Sequence, residues 1–237
     1  GTHCAGISGA RNNGFGVVGV APDCRLYAVM VMRPVPGGRA SGKLSWFLAG
    51  MAWAARNRMD VASMSLGSLA ATADAPCNAA YERAAQALAR VGCFVVSSAG
   101  NSYDDPVPPP RRPWVGQPAR CPGFMAVAAV DRRRRIAPYS SRGPASLGRL
   151  RGVEISAPGS DVRSTWPGGG YRSLSGTSMA CPHVAGAAAL LKQLRPTWSP
   201  STIRGRLRSS ATDLGAPASD PTYGAGLLDC HRMVYGR

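Results

Sequence analysis

The chain has 237 residues, 45% of them hydrophobic, which is ample for one large domain with a buried core. No apolar run approaches the ~18 residues of a membrane span, and no internal repeat is visible, so neither a membrane partner nor a repeat array is expected. The formal net charge is +16, with 28 lysines and arginines against 12 acids. No zinc-finger spacing, helix-turn-helix signature or aromatic-basic RNA motif accompanies that charge. Nucleic acid is therefore not expected as a partner, and the arginine run 132–135 reads as a solvated loop.

In chain order, short apolar runs at 26–32, 61–66, 93–98 and 125–130 each end in Gly, Pro or Asn punctuation, as buried strands do. Between them, Ala-rich stretches at 45–56 and 78–90 carry apolar residues at helical spacing, as the crossover helices of a parallel sheet do. The fold class predicted is α/β, in a single domain spanning 1–237. Seven cysteines are many for a reduced cytosolic enzyme, and no pair of them has the close spacing of a zinc site. That usage points to an oxidising compartment.

The chemistry concentrates in Ser175-Gly-Thr-Ser-Met-Ala-Cys-Pro-His-Val-Ala-Gly186. A glycine-rich loop (Gly168, Gly169, Gly170, then Gly176) is expected to deliver Ser178 to the start of an apolar helix running to about Leu194, with Pro182 in its first turn. Unpaired amides there favour the negative charge of an attacked carbonyl, although a helix-capping serine fits the same pattern. His183 lies five residues further on, about 140° around the helix from Ser178, and reads as a core histidine rather than its base. The run 93–101 reads as a strand ending in Asn101 at its carboxyl end, where open α/β sheets bind ligands. Its side-chain amide is a candidate oxyanion donor, with an ordinary turn asparagine as the alternative.

Taken together, Gly1-Thr-His-Cys-Ala-Gly6, Gly19-Val-Ala-Pro22, Met59-Asp-Val-Ala-Ser-Met-Ser-Leu-Gly67, Ser98-Ala-Gly-Asn101, Gly176-Thr-Ser-Met-Ala-Cys-Pro-His-Val-Ala-Gly186 and Tyr223-Gly-Ala-Gly-Leu-Leu228 resemble subtilisin-like serine proteases, in the same order and at similar spacing. The resemblance implies a three-layer fold, a mostly parallel central sheet flanked by helices, and a serine endopeptidase acting through an acyl-enzyme on Ser178. It also implies Asn101 as oxyanion donor and a substrate pocket lined by Ser65, Leu66, Gly67, Ser98, Ala99, Gly100 and Gly116. Those residues are small or apolar, so cleavage after large apolar residues is expected. By the same resemblance the enzyme is secreted, monomeric, made with a propeptide, acts on proteins or peptides, and needs no cofactor for catalysis.

In the family the catalytic histidine directly precedes the motif with which this chain opens, and His3 matches a structural histidine. The resemblance therefore implies that the triad histidine and aspartate lie upstream of Gly1. It further implies that the first strands of the sheet are missing, including one between 26–32 and 61–66, and that 1–237 alone is inactive. A protein that binds peptide in the same cleft without cutting it is the alternative. The stretch 11–17 resembles a structural calcium loop, with the carbonyls of Arg11, Phe15 and Val17 and the side chain of Asn13 as ligands. A glycine-rich surface turn is the other reading. Finally, resemblance to secreted bacterial members implies a disulfide between Cys77 and Cys121, anchoring the Pro-rich stretch 103–114, and an unpaired thiol at Cys4.

Overall fold

A computed structural model of the chain describes residues 1–36, 39–70, 72–104, 114–144 and 152–236. Helix α1 (Thr2–Gly9) is followed by the hairpin β1 (Arg33–Val35) and β2 (Arg39–Ser41), then α2 (Leu44–Arg56) and β3 (Val61–Met64). Next come α3 (Ala79–Arg90), β4 (Phe94–Ser98), β5 (Met125–Val130) and β6 (Ile155–Pro158). A second hairpin, β7 (Val162–Trp166) and β8 (Gly170–Leu174), precedes α4 (Thr177–Leu194), α5 (Pro200–Ser210) and α6 (Cys230–Tyr235).

The central sheet runs β3-β4-β5-β6, and all three pairings are parallel, with Val61 opposite Phe94, Val96 opposite Met125 and Val127 opposite Ile155. Every residue of β4 and β5 is buried, which explains their unbroken apolar sequences: a parallel strand covered on both faces needs no polar alternation. Successive side chains still part to opposite faces. Phe94 and Val96 join Val184, Leu191, Ile203 and Leu207 in the layer under α4 and α5, whereas Cys93 and Val95 join Met51, Tyr81 and Leu88 under α2 and α3. The result is the three-layer α/β arrangement predicted. Among the described residues, no helix is long and apolar enough to cross a membrane.

Two of these local expectations change, while the arginine run stays the solvated loop expected. Residues 26–32 pair with no strand among the described residues, and Leu26, Tyr27, Val29 and Met30 are exposed, Met30 by 82%. Their apolar character is that of a buried strand, but β3 has only β4 beside it in the sheet, so the run lacks the ladder that would define it. Gly168 and Gly169, at φ +86° and +84°, form the turn between β7 and β8 rather than the loop into the α4 helix, because a tight hairpin turn demands the left-handed backbone that glycine tolerates. The arginine run closes the turn after β5, where Asp131 accepts the amides of Arg133 and Arg135 and pairs with the Arg135 side chain at 2.8 Å.

Candidate active site

The α4 helix begins one residue before Ser178, with Gly176 as its cap and Thr177 as its first residue. An amide in the first helical turn has no partner within the helix, so the N–H of Ser178, a half-buried residue, is free of the helix ladder. Pro182 does not sit in that first turn. It lies inside the helix, five residues after Thr177, and removes the N–H that would bond the carbonyl four residues back, which is that of Ser178. Two side chains replace it: Ser65 Oγ donates to the Ser178 carbonyl at 2.8 Å, and Cys4 Sγ donates at 3.3 Å. The proline therefore frees a carbonyl by which the residue following β3 and one from α1 hold the turn carrying Ser178.

Asn101 follows the end of β4. Its Oδ1 accepts two bonds from Thr177, one from the backbone N–H and one from the hydroxyl, each at 2.8 Å. The same hydroxyl accepts the amide of Gly100 at 3.1 Å. With Oδ1 committed on one side, the amide nitrogen Nδ2 is turned the other way, to 3.3 Å from where a β-carbon on Gly176 would stand. Two donors, the Asn101 amide and the Ser178 N–H, thus flank the residue preceding the helix, an arrangement able to hold an oxyanion. Thr177, fully buried, is the residue that sequence reasoning missed. Its place between Gly176 and Ser178 was the available signal.

The structure brings the residues expected to line a substrate pocket together at the carboxyl ends of neighbouring strands. Ser65, Leu66 and Gly67 follow β3, and Ser98, Ala99 and Gly100 end β4. Gly116 donates its amide to Ala99 O at 3.0 Å, and Ser68 and Gln117 exchange backbone bonds at 2.9 and 3.0 Å, joining the two walls. That approach is close enough that a β-carbon on Gly116 would fall 2.1 Å from the Ser68 carbonyl oxygen, and one on Gly67 2.5 Å from that of Gln117. Only glycine fits at either position.

Each of the three histidines is engaged elsewhere. His3 is buried, its Nε2 lies 2.9 Å from Arg172 O on β8, and its ring packs edgewise on Trp166. His183 Nδ1 bonds Met179 O at 2.9 Å, and burial, partly offset by that bond, holds its pKa below the usual imidazole value. His231 packs at a tilt against Tyr235 in the α6 helix.

Residues 11–17 form an exposed turn between α1 and the buried Gly19, whose amide bonds Ala10 O at 2.8 Å. Arg11, Phe15 and Val17 with Asn13 offer four uncharged oxygens. That donor set suits a hard cation chemically but supplies fewer than the ~6 to 8 oxygens calcium takes.

Cys77 and Cys121 are bonded, with Cα atoms 4.9 Å apart, while Cys4, Cys24, Cys93, Cys181 and Cys230 are free. Cys93 and Cys181 are buried thiols, and burial pushes both up to about 12. Of the Pro-rich stretch that the bridge was expected to anchor, 105–113 lie outside the described residues.

The model of the subtilase family matches residues 1–226. This chain belongs to the subtilase family. It is 43% identical over 229 residues to an alkaline protease of Alkalihalobacillus alcalophilus, covering 97% of this chain and 53% of that protein. Subtilisin Savinase of Lederbergia lenta is also 43% identical over 229 residues, with 97% and 75% covered. The chain thus spans about half the length of the first of these relatives. Among solved structures, Sphericase superposes with a TM-score of 0.80 at 33% identity, covering 95% of this chain and 76% of its own. The S41 psychrophilic protease gives 0.81 at 31% identity, with 96% and 76% covered.

Proposed function

We propose that this subtilase is a serine endopeptidase in which Ser178 attacks a peptide carbonyl and water hydrolyses the resulting acyl-enzyme. The observation that carries the reading is the pairing of a first-turn Ser178 with an Asn101 amide locked by Thr177. As the hydroxyl adds to the carbonyl carbon, the carbonyl oxygen becomes an oxyanion, and both donors stabilise it. Such donors are worth ~3 kcal/mol each in kcat. A base takes the hydroxyl proton as the serine attacks and, now protonated, gives it to the amine that leaves on collapse; water then repeats the sequence to release the acid.

The base and the aspartate that orients it come, in this reading, from a segment preceding Gly1. Two features support it: each of the three imidazoles is engaged by another partner, and the apolar run 26–32 and the side of β3 that no strand covers among the described residues leave room for strand pairing. The chain 1–237 is then inactive alone. The small or apolar residues Ser65, Leu66, Gly67, Ser98, Ala99, Gly100 and Gly116 accept a large apolar side chain before the cut and offer no carboxylate to select a basic one. The protein acts as a secreted monomer on protein substrates after loss of a propeptide, and Arg11, Asn13, Phe15 and Val17 contribute to a structural calcium site.

A fluorophosphonate probe, which labels only an activated serine, tests the central claim. The protein with its upstream segment should be labelled and should cleave peptides, and Ser178→Ala should lose both. Labelling and turnover that survive Ser178→Ala would overturn the assignment. An unlabelled, inactive protein that still binds peptide would favour the non-cutting alternative.

A further inference from the structure

We infer that the Cys77–Cys121 pair is also one half of a thiol-gated metal site, which takes a zinc-class divalent cation when the bridge is reduced. The ligand atoms of Cys77, Glu82 and Cys121 lie within 4.8 Å of one another. They come from the entry to α3, its first turn and the loop before β5, so only the tertiary fold assembles them. A fourth ligand atom is already in place: Gln117 Oε1 stands 3.2 Å from Cys121 Sγ. Two thiolates with one carboxylate and one further oxygen make a four-coordinate set of the kind zinc accepts, and the thiolates disfavour calcium and magnesium.

The surroundings fix the oxygen donors. Glu82 Oε2 accepts the amide of Gly123 at 3.0 Å and Oε1 accepts Gln86 Nε2 at 3.3 Å, while Gln117 Nε2 donates to Pro76 O at 2.8 Å. These bonds aim both side chains at the sulfurs, and such outer partners are what hold metal ligands in place. Cys121 is buried, whereas Cys77 and Glu82 are half-buried, so a cation can enter from one side.

The chemistry balances with a dithiol reductant. It gives two electrons and two protons to the Cys77–Cys121 bond, leaving two thiols and a cyclic disulfide of the reductant. The thiols release two protons to solvent as the cation binds. In either state the same two sulfurs tie the loop before α3 to the loop bearing Gly116, so metal would replace the covalent clamp rather than merely occupy a broken one.

The test uses the full-length protein, reduced by a dithiol, desalted without oxygen and titrated with zinc against a chromophoric chelator. Reduced protein should retain one equivalent of zinc that the oxidised protein does not, and zinc should protect the peptides holding Cys77 and Cys121 from alkylation while Cys24 stays reactive. Glu82→Gln, which keeps the side chain's size and can still accept the Gly123 amide through its one oxygen, should weaken binding about tenfold or more. Zinc retention equal to that of a Cys77→Ala/Cys121→Ala protein, or Glu82→Gln binding as tightly as the parent, would overturn the site.

Discussion

Thr177→Val offers the sharpest test of how the oxyanion donors are held. Valine keeps the shape of threonine but removes a hydroxyl that donates to Asn101 Oδ1 at 2.8 Å and accepts Gly100 N at 3.1 Å. Asn101 keeps one of its two anchoring bonds, the one from the Thr177 amide. If the whole donor is worth ~3 kcal/mol, loss of half its anchorage should cost about 1.5 kcal/mol, or roughly tenfold in kcat. KM should change less than about twofold, because the hydroxyl stabilises the transition state through Asn101 rather than the bound substrate. Leaving the Gly100 N–H unpaired should also lower stability by ~1 to 3 kcal/mol. Steady-state hydrolysis of a chromogenic peptide by the full-length protein measures the kinetic terms, and Thr177→Ser should restore them. The decisive comparison is a double-mutant cycle. In an Asn101→Ala background, where kcat is already down ~10²- to 10³-fold, Thr177→Val should cost less than about twofold more. Full additivity, or a rise in KM with kcat unchanged, would refute the positioning role.

Replacing both bridging cysteines, Cys77→Ala/Cys121→Ala, opens a loop with a sequence separation of 44. Loop entropy puts the loss near 4 kcal/mol, about 8 °C in Tm for a domain of this size, and calorimetry should show it; a shift under ~2 °C would contradict the bridge. His183 sets an acid limit. Its pKa is depressed in the folded state, so the unfolded chain takes up the proton first, and stability present above about pH 6.5 falls as pH drops through that value towards the folded pKa. Thermal scans from pH 8 to 5 should show the loss, and His183→Gln should flatten it. A peptide-library profile should be dominated by large apolar residues before the cut, and a preponderance of basic ones would exclude the pocket assigned. Chelation should lower Tm if residues 11–17 hold calcium, and an unchanged Tm would leave them a surface turn.

Local physics was readable wherever one residue constrains its own neighbourhood. The apolar runs that become β4 and β5 are buried on both faces, the Ala-rich stretches 45–56 and 78–90 become α2 and α3, and the apolar helix expected from Ser178 becomes α4. The angular argument against His183 also holds, since its ring bonds Met179 O on its own helix. By contrast, the place of Pro182 was misjudged, because a proline inside a helix is tolerated when distant side chains take over the freed carbonyl. Ser65 and Cys4 do so from 113 and 174 residues away, a compensation no local pattern encodes. The run 26–32 carries a strand's sequence without a strand's ladder, since pairing depends on what stands alongside it. The sequence alone therefore determined which residues carry the chemistry and which segments are apolar or helical. The tertiary structure alone decided that Thr177 holds Asn101, that His3 is taken up by Arg172, and that Cys77, Glu82 and Cys121 meet, because those relations join elements far apart along the chain.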